Sequence, residues 1–132
     1  GEGVVLDEAG RSVFDRFQDR ALPRRPPRAG DDAVVFMAFD ILMLDGQALI
    51  EKPVEDRKVI LEALLTVAPA AVRYVDHFGW QHGRDLYQQA VAIGLEGLVA
   101  KRLGSTYQPG ERTADWQKVK VPGAVPAERF KR

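Results

Sequence analysis

The chain contains no cysteine, which excludes a disulfide framework and any thiolate metal site. It also carries no net charge, since 19 Lys and Arg balance 19 Asp and Glu. A protein that binds nucleic acid through its overall charge has a basic surplus, so any such affinity must be local. Two basic clusters qualify: Arg20, Arg24, Arg25 and Arg28, and Arg129, Lys131 and Arg132. No apolar run reaches membrane-spanning length, and the N-terminus has no signal-peptide layout. A soluble intracellular protein is expected. There is no repeat, no GxxxxGK(S/T) phosphate loop, no GxGxxG and no nucleophile elbow. His77 and His82, five apart near Asp76, lack a standard metal-ligand spacing and read as loop histidines.

What is present fits a globular domain. The 132 residues are 45% hydrophobic and 29% charged, enough for one domain with a real core. Gly1-Glu2-Gly3-Val4-Val5 opens the sequence without methionine and already in strand-like residues, as an excerpt would. Val4-Val5-Leu6 predicts a strand turning at Asp7 to Gly10. Val13, Phe14 and Phe17 recur at helical spacing within residues 11–20, with Ser12 as a possible cap. Residues 22–32 are rich in proline and arginine and read as a loop.

Val34 to Leu44 predicts the main core strand, nearly continuous in apolar residues as if covered on both faces. Asp45-Gly46 is a hairpin signal, with Leu49-Ile50 starting the return. Residues 55–68 predict an amphipathic helix with Ile60, Leu64 and Val67 on its stripe and Leu61 and Leu65 beside it. Val72 to Val75 predicts a strand. Gly83 to Ile93 predicts a helix that turns Leu86, Ala90 and Ile93 inward and ends at Gly94. Residues 122–132 form a proline-rich, basic tail. One tight hairpin and no strict strand–helix alternation favour an α+β domain with mainly antiparallel sheet.

Charge in apolar surroundings marks the candidate site. Glu96-Gly97-Leu98-Val99-Ala100-Lys101 brackets an apolar run with opposite charges, which a buried strand tolerates only when they are paired or used. Trp116-Gln117-Lys118-Val119-Lys120 puts Lys118 and Lys120 on one face of a strand. An anion between them would relieve their repulsion; an exposed edge strand guarded by lysines is the bland alternative. Trp116 shares their parity, so either the strand begins after it or its ring lies beside the ammoniums. Glu96 and Lys101 differ in parity, so only twist or a bulge could bring both to one ligand. Phe39 is either a core residue or a platform for a base. Asp40, within so apolar a run, needs a hydrogen bond or a cation.

Taken in order, these segments resemble the nucleotidyltransferase domain of ATP-dependent DNA ligases, particularly the bacterial end-joining repair type. Val35 to Leu42 with Asp45-Gly46 is similar to the family's third motif, Glu96 to Lys101 to its fourth, and Trp116 to Lys120, preceded by Tyr107-Gln108-Pro109-Gly110, to its fifth. Gly1-Glu2 before Val4-Val5-Leu6-Asp7 is similar to the DGE segment, and Tyr74 to Phe78 matches the end-joining type. The resemblance implies an incomplete nucleotidyltransferase (ATP-grasp-like) fold. It spans residues 1–121, with residues 122–132 as tail. Phe39 would stack on adenine and Glu2 approach the ribose. Glu96 would help hold Mg²⁺ or Mn²⁺, and Lys101, Lys118 and Lys120 would contact the phosphate of the adenylate.

The implied reaction uses ATP to adenylylate a lysine, passes AMP to a DNA 5′-phosphate, and lets a 3′-hydroxyl displace AMP. The family's nucleophilic lysine belongs to a KxDG motif, and no KxDG occurs in these 132 residues. This chain by itself is expected to form no lysine–AMP adduct, and too few residues follow Lys120 for an oligonucleotide-binding barrel. Implied partners are nicked or broken duplex DNA and end-joining repair proteins, with the protein a monomer in the bacterial cytoplasm near the nucleoid and away from membranes. The rivals are an RNA ligase or capping nucleotidyltransferase, and a non-catalytic module that binds nucleotide or DNA.

Overall fold

A computed structural model describes residues 1–22 and 26–124. Arg24 and Arg25, the second basic cluster and most of the tail lie outside the described residues. β1 (Glu2–Val4) is followed by Val5, which is 1% exposed and whose carbonyl accepts the Val13 N–H at 2.9 Å. The strand thus starts two residues earlier than its apolar pattern suggests, and Leu6 makes only an isolated bridge to Ser12. Asp7 organises the turn between them. Its Oδ1 accepts the N–H groups of Ala9 at 2.9 Å and Arg11 at 2.8 Å, and Gly10 closes the turn at φ 79°.

α1 (Phe14–Ala21) has Val13 as N-cap with no side-chain cap bond. Ser12, the expected cap, is occupied in the bridge to Leu6. Nor does α1 bury any residue: Phe14 is exposed, and Phe14 and Phe17 instead line an open hollow beside β1 with Gly1 to Val4.

The long apolar run folds as two short strands rather than one. β2 (Val35–Ala38) stops at Phe39, and β3 (Met43–Leu44) resumes after a break. Phe36, Leu42 and Met43 are exposed, so the run is not covered on both faces. Asp40 explains the interruption, because its carboxylate takes the Ile41 N–H at 2.8 Å, a donor the ladder would otherwise use. β4 (Gln47–Ala48) returns at once through Asp45 and Gly46, both left-handed at φ 49° and 79°. That is the hairpin turn the Asp-Gly pair encodes, with the return strand two residues earlier than expected.

α2 (Val54–Leu65) ends before Pro69, the Ala68 N–H reaching back to Leu65. Its expected stripe is rotated. Leu64 is exposed and Val67 is 87% exposed, whereas Val54, Arg57, Lys58 and Leu61 are buried. β5 (Val72–Tyr74) pairs parallel to β2, Phe36 facing Val72 and Ala38 facing Tyr74, while β1 pairs antiparallel on the other side with Glu2 facing Met37. The core cluster is Ala38, Ile41, Leu49 and Leu61, packed with Leu44, Ile60, Leu65 and Tyr74.

These elements belong to a compact unit of residues 1–49 and 55–76; a second unit holds residues 50–54 and the described residues from His77 onward. In the second unit a 3₁₀ turn (Trp80–His82) leads into α3 (Gly83–Ala92). Ala90 is buried, but Ile93 is 51% exposed and is not an inward residue. Gly94 at φ 74° ends the helix. Its N–H reaches the Val91 carbonyl and that of Leu95 reaches Ala90, the paired bonds of a Schellman close. β6 (Gly97–Lys101) and β7 (Trp116–Lys120) form a two-stranded antiparallel ribbon. The described residues thus make an α+β structure with mainly antiparallel pairing and one parallel pair. None of the helices described is long and apolar enough to cross a membrane.

Candidate functional site

In the first unit the site residues gather at the end of β2. Glu2 is exposed on β1 opposite Met37, two residues before Phe39. Phe39 is half-buried and sits just past the last paired residue of the strand. Its backbone is held by two successive residues of α2. Arg57, fully buried, donates from Nε to Asp40 Oδ1 at 2.8 Å and from Nη2 to Oδ2 at 3.1 Å. The bidentate geometry matches the planar fork of the guanidinium. The cation that Asp40 required is therefore Arg57.

Lys58 closes the end of the parallel pair. Its Nζ donates to the Val75 carbonyl at 3.0 Å and more weakly to that of Phe39 at 3.4 Å, and it lies 4.4 Å from the centroid of the Tyr74 ring. Phe39 and Val75 directly follow the paired residues Ala38 and Tyr74, so one ammonium takes the two carbonyls that the ladder leaves over. Burial lowers the Lys58 pKa against the opposing pull of Asp40, Glu62 and Asp76. Burial also pushes the Tyr74 phenol up to about 12, helped by Glu62 and Asp76.

Sequence reasoning missed Arg57 and Lys58, although a signal existed. They lie four and three residues before Leu61, on the face that packs inward, and an orphan carboxylate at Asp40 called for a cation.

In the second unit the register brings three lysines together. Lys101 faces Trp116, Val99 faces Lys118 and Gly97 faces Lys120, so Lys101, Lys118 and Lys120 share one face of the ribbon. Ladder bonds fall on the alternate pairs, Val121 N–H to the Glu96 carbonyl and Arg102 N–H to that of Asp115. The lysine-bearing pairs are therefore the non-hydrogen-bonded ones, in which side chains across the strands lie closest. Trp116 does begin the strand, and its ring lies 4.0 Å from Lys101 Nζ. Lys118 and Lys120 are exposed, as are Val99 and Val119. Lys118 and Lys120 are therefore not buried in an apolar sheet, and exposure to water makes their charge tolerable.

Glu96 is exposed, one residue outside β6, with its carbonyl tied to Val121. Gly97, the first residue of β6, has φ 154°, and a Cβ there would collide with the Val119 carbonyl oxygen and lie 3.0 Å from Lys120 Cα. The register nevertheless runs unbroken along β6, so no bulge within the strand offsets the opposed parity of Glu96 and Lys101.

A family model described as "ATP dependent DNA ligase domain" matches residues 1–120. The chain belongs to that family. The ligase domain is 40% identical over 121 residues to "Multifunctional non-homologous end joining protein LigD" of Mycolicibacterium smegmatis, covering 92% of this chain and 14% of that protein. A "Probable DNA ligase" of Kineococcus radiotolerans is 37% identical, with 91% and 23% covered. A solved structure described as "mycobacterial DNA ligase D complexed with ATP and MES" superposes with TM-score 0.71 at 36% identity, covering 91% of this chain and 36% of that one. The ligase domain thus spans about one-seventh of the length of its LigD relatives. The expected fold and family are both met.

Proposed function

We propose that this ligase domain holds the nucleotide and the metal in an ATP-dependent DNA ligase that seals breaks through enzyme-adenylate and DNA-adenylate intermediates. The observation that carries the reading is the single face bearing Lys101, Lys118 and Lys120. A face carrying three ammoniums favours an anion, and a phosphoryl group in transfer is such an anion. Lys118 and Lys120 stand two residues apart on β7 and would hold adjacent phosphate oxygens, with Lys101 at the end of the row beside Trp116. Charge developing on those oxygens would then meet donors already in place.

Phe39 would give its ring to adenine. The clamp of Arg57 and Lys58 keeps the backbone at that point from sliding back into the ladder. Glu2 would reach the ribose. Glu96 would be the protein's ligand to Mg²⁺ or Mn²⁺. An exposed carboxylate suits Mg²⁺, which keeps several waters and takes its remaining ligands from substrate phosphates. When bound, that ion would neutralise phosphate charge during transfer. The substrates of the whole protein would be nicked or broken duplex DNA and ATP, and its setting bacterial end-joining repair, as the names of the LigD relatives suggest.

The test is ATP binding by the 132-residue chain, titrated with and without Mg²⁺. The expected result is Mg²⁺-assisted binding that Lys118→Ala weakens at least about tenfold, one lost charge-assisted bond, while Lys52→Ala does not. Equal binding by both variants would reduce Lys118 to a surface lysine. Radiolabelled ATP should leave no covalent label on this chain after denaturation, because no KxDG lysine is present.

A further inference from the structure

Lys101 differs from its two companions in what surrounds it. Lys118 and Lys120 are exposed, whereas Lys101 is half-buried with Nζ 4.0 Å from the centroid of the Trp116 ring. Trp116 is itself braced. The Tyr107 ring meets it edge to face, centroids 6.0 Å apart at 73°, and the Tyr107 backbone is tied by its N–H to the Ile50 carbonyl at 2.8 Å. Tyr107, Trp116 and Lys101 therefore form a stack in which each member limits the next.

We infer that Trp116 is a positioning residue, holding the Lys101 ammonium on the lysine face of the ribbon, with Tyr107 as its brace. The inference rests on the reading that Lys101 meets the phosphate of the nucleotide. A lysine on a flexible four-carbon stem loses much rotamer freedom when it must stand at one point. An aromatic face restrains it beforehand through the attraction of the ring quadrupole for a cation. A ring restrains the ammonium without bringing an opposing formal charge of its own. The direct cross-strand pairing of Lys101 with Trp116 supplies the geometry, since non-hydrogen-bonded partners bring their side chains closest.

The experiment compares the 132-residue chain with W116L, W116F, Y107L and K101M. Two readouts are taken: the proton shifts of the Lys101 ε-methylene and the affinity for Mg²⁺–ATP. In the parent chain the ring current of Trp116 should move the ε-methylene signal upfield. W116L should abolish that shift and weaken ATP binding about three- to fivefold, the size of an exposed cation–π contact. W116F should keep most of both, and Y107L should reduce the shift in part. Amide protection across β6 and β7 confirms that each variant keeps the ribbon.

Three results would overturn the inference: a normal Lys101 shift in W116L, unchanged ATP affinity in W116L, or a loss in W116F as large as in W116L. K101M separates the two levels. Weak binding by K101M with normal binding by W116L removes only the role of Trp116. Normal binding by K101M removes the phosphate contact and the positioning role with it.

Discussion

The two units of this ligase domain treat charge in opposite ways. In the first, Arg57 and Lys58 are buried and donate to acceptors on Asp40, Val75 and Phe39. In the second, Lys118 and Lys120 stand in water on an open ribbon whose apolar residues Val99 and Val119 are themselves half-exposed. Buried charges that are fully paired fix a backbone, because leaving either partner alone inside is costly. Exposed charges fix little, and for that reason can meet a ligand that comes and goes. The first arrangement serves shape; under the proposed function the second serves contact.

The strongest way to break this contrast is Arg57→Met. It leaves Asp40 buried without its cation and should cost about 3–5 kcal/mol in urea unfolding. Adding Asp40→Leu to that variant should recover most of the loss, since the apolar pair leaves no orphan charge. If the double variant is no better than the single, the two side chains are not coupled as described.

Gly97→Ala comes next. The new methyl meets the Val119 carbonyl oxygen and should cost about 1–3 kcal/mol locally. Hydrogen exchange should show the loss in the amides of β6 and β7 and spare those of β2 and β5. Undiminished protection in the ribbon would mean that the collision is absorbed.

A pH series sharpens the contrast within the first unit. Burial pushes the folded Tyr74 phenol up to about 12, against about 10 for a free phenol. Its stabilising contribution is therefore complete below pH 10 and is lost as pH rises toward 12. Lys58 has the opposite sign. Its folded pKa is lowered from 10.5, so the unfolded chain binds the proton more readily and the cost of burying it shrinks as pH rises toward that value. Tyr74→Phe should remove the alkaline fall, and Lys58→Met the rise that precedes it, both read as unfolding midpoints from pH 8 to 12.

The smallest effect on stability belongs to Lys118→Ala, expected within about 0.5 kcal/mol as for other exposed side chains. A loss of the size seen for Arg57 would show that the ribbon lysines are structural after all.

Much of the lysine face was legible in the sequence. Parity alone put Lys118 and Lys120 on one face and warned that Glu96 and Lys101 need not share it. The Asp-Gly pair announced its hairpin, and Gly94 its helix end. What escaped was the partner of Asp40. The stripe read from Ile60, Leu64 and Val67 assumed that a helix buries its apolar residues. Here α2 turns Arg57 and Lys58 inward and leaves Val67 in water. Hydrophobic periodicity cannot see a pair whose two halves are 17 residues apart on different elements. For the same reason Val34 to Leu44 looked like one strand: the break at Phe39 comes from Asp40 capturing a backbone donor, and its surroundings show only apolar letters. The Tyr107–Trp116–Lys101 stack depends on a cross-strand register that spacing within one strand does not reveal.

Gly97 has a consequence for how this chain can vary. Every single-base change in a glycine codon is silent, introduces a stop, or brings in a side chain beginning with a Cβ, and at this position that atom lands against the Val119 carbonyl oxygen. No chemically similar substitute exists for the ribbon to drift through, whereas Val99 and Val119 beside it can exchange among apolar residues at little cost. The glycine between Glu96 and the lysine face is thus a point without neutral neighbours in sequence space, set in a stretch that otherwise has many.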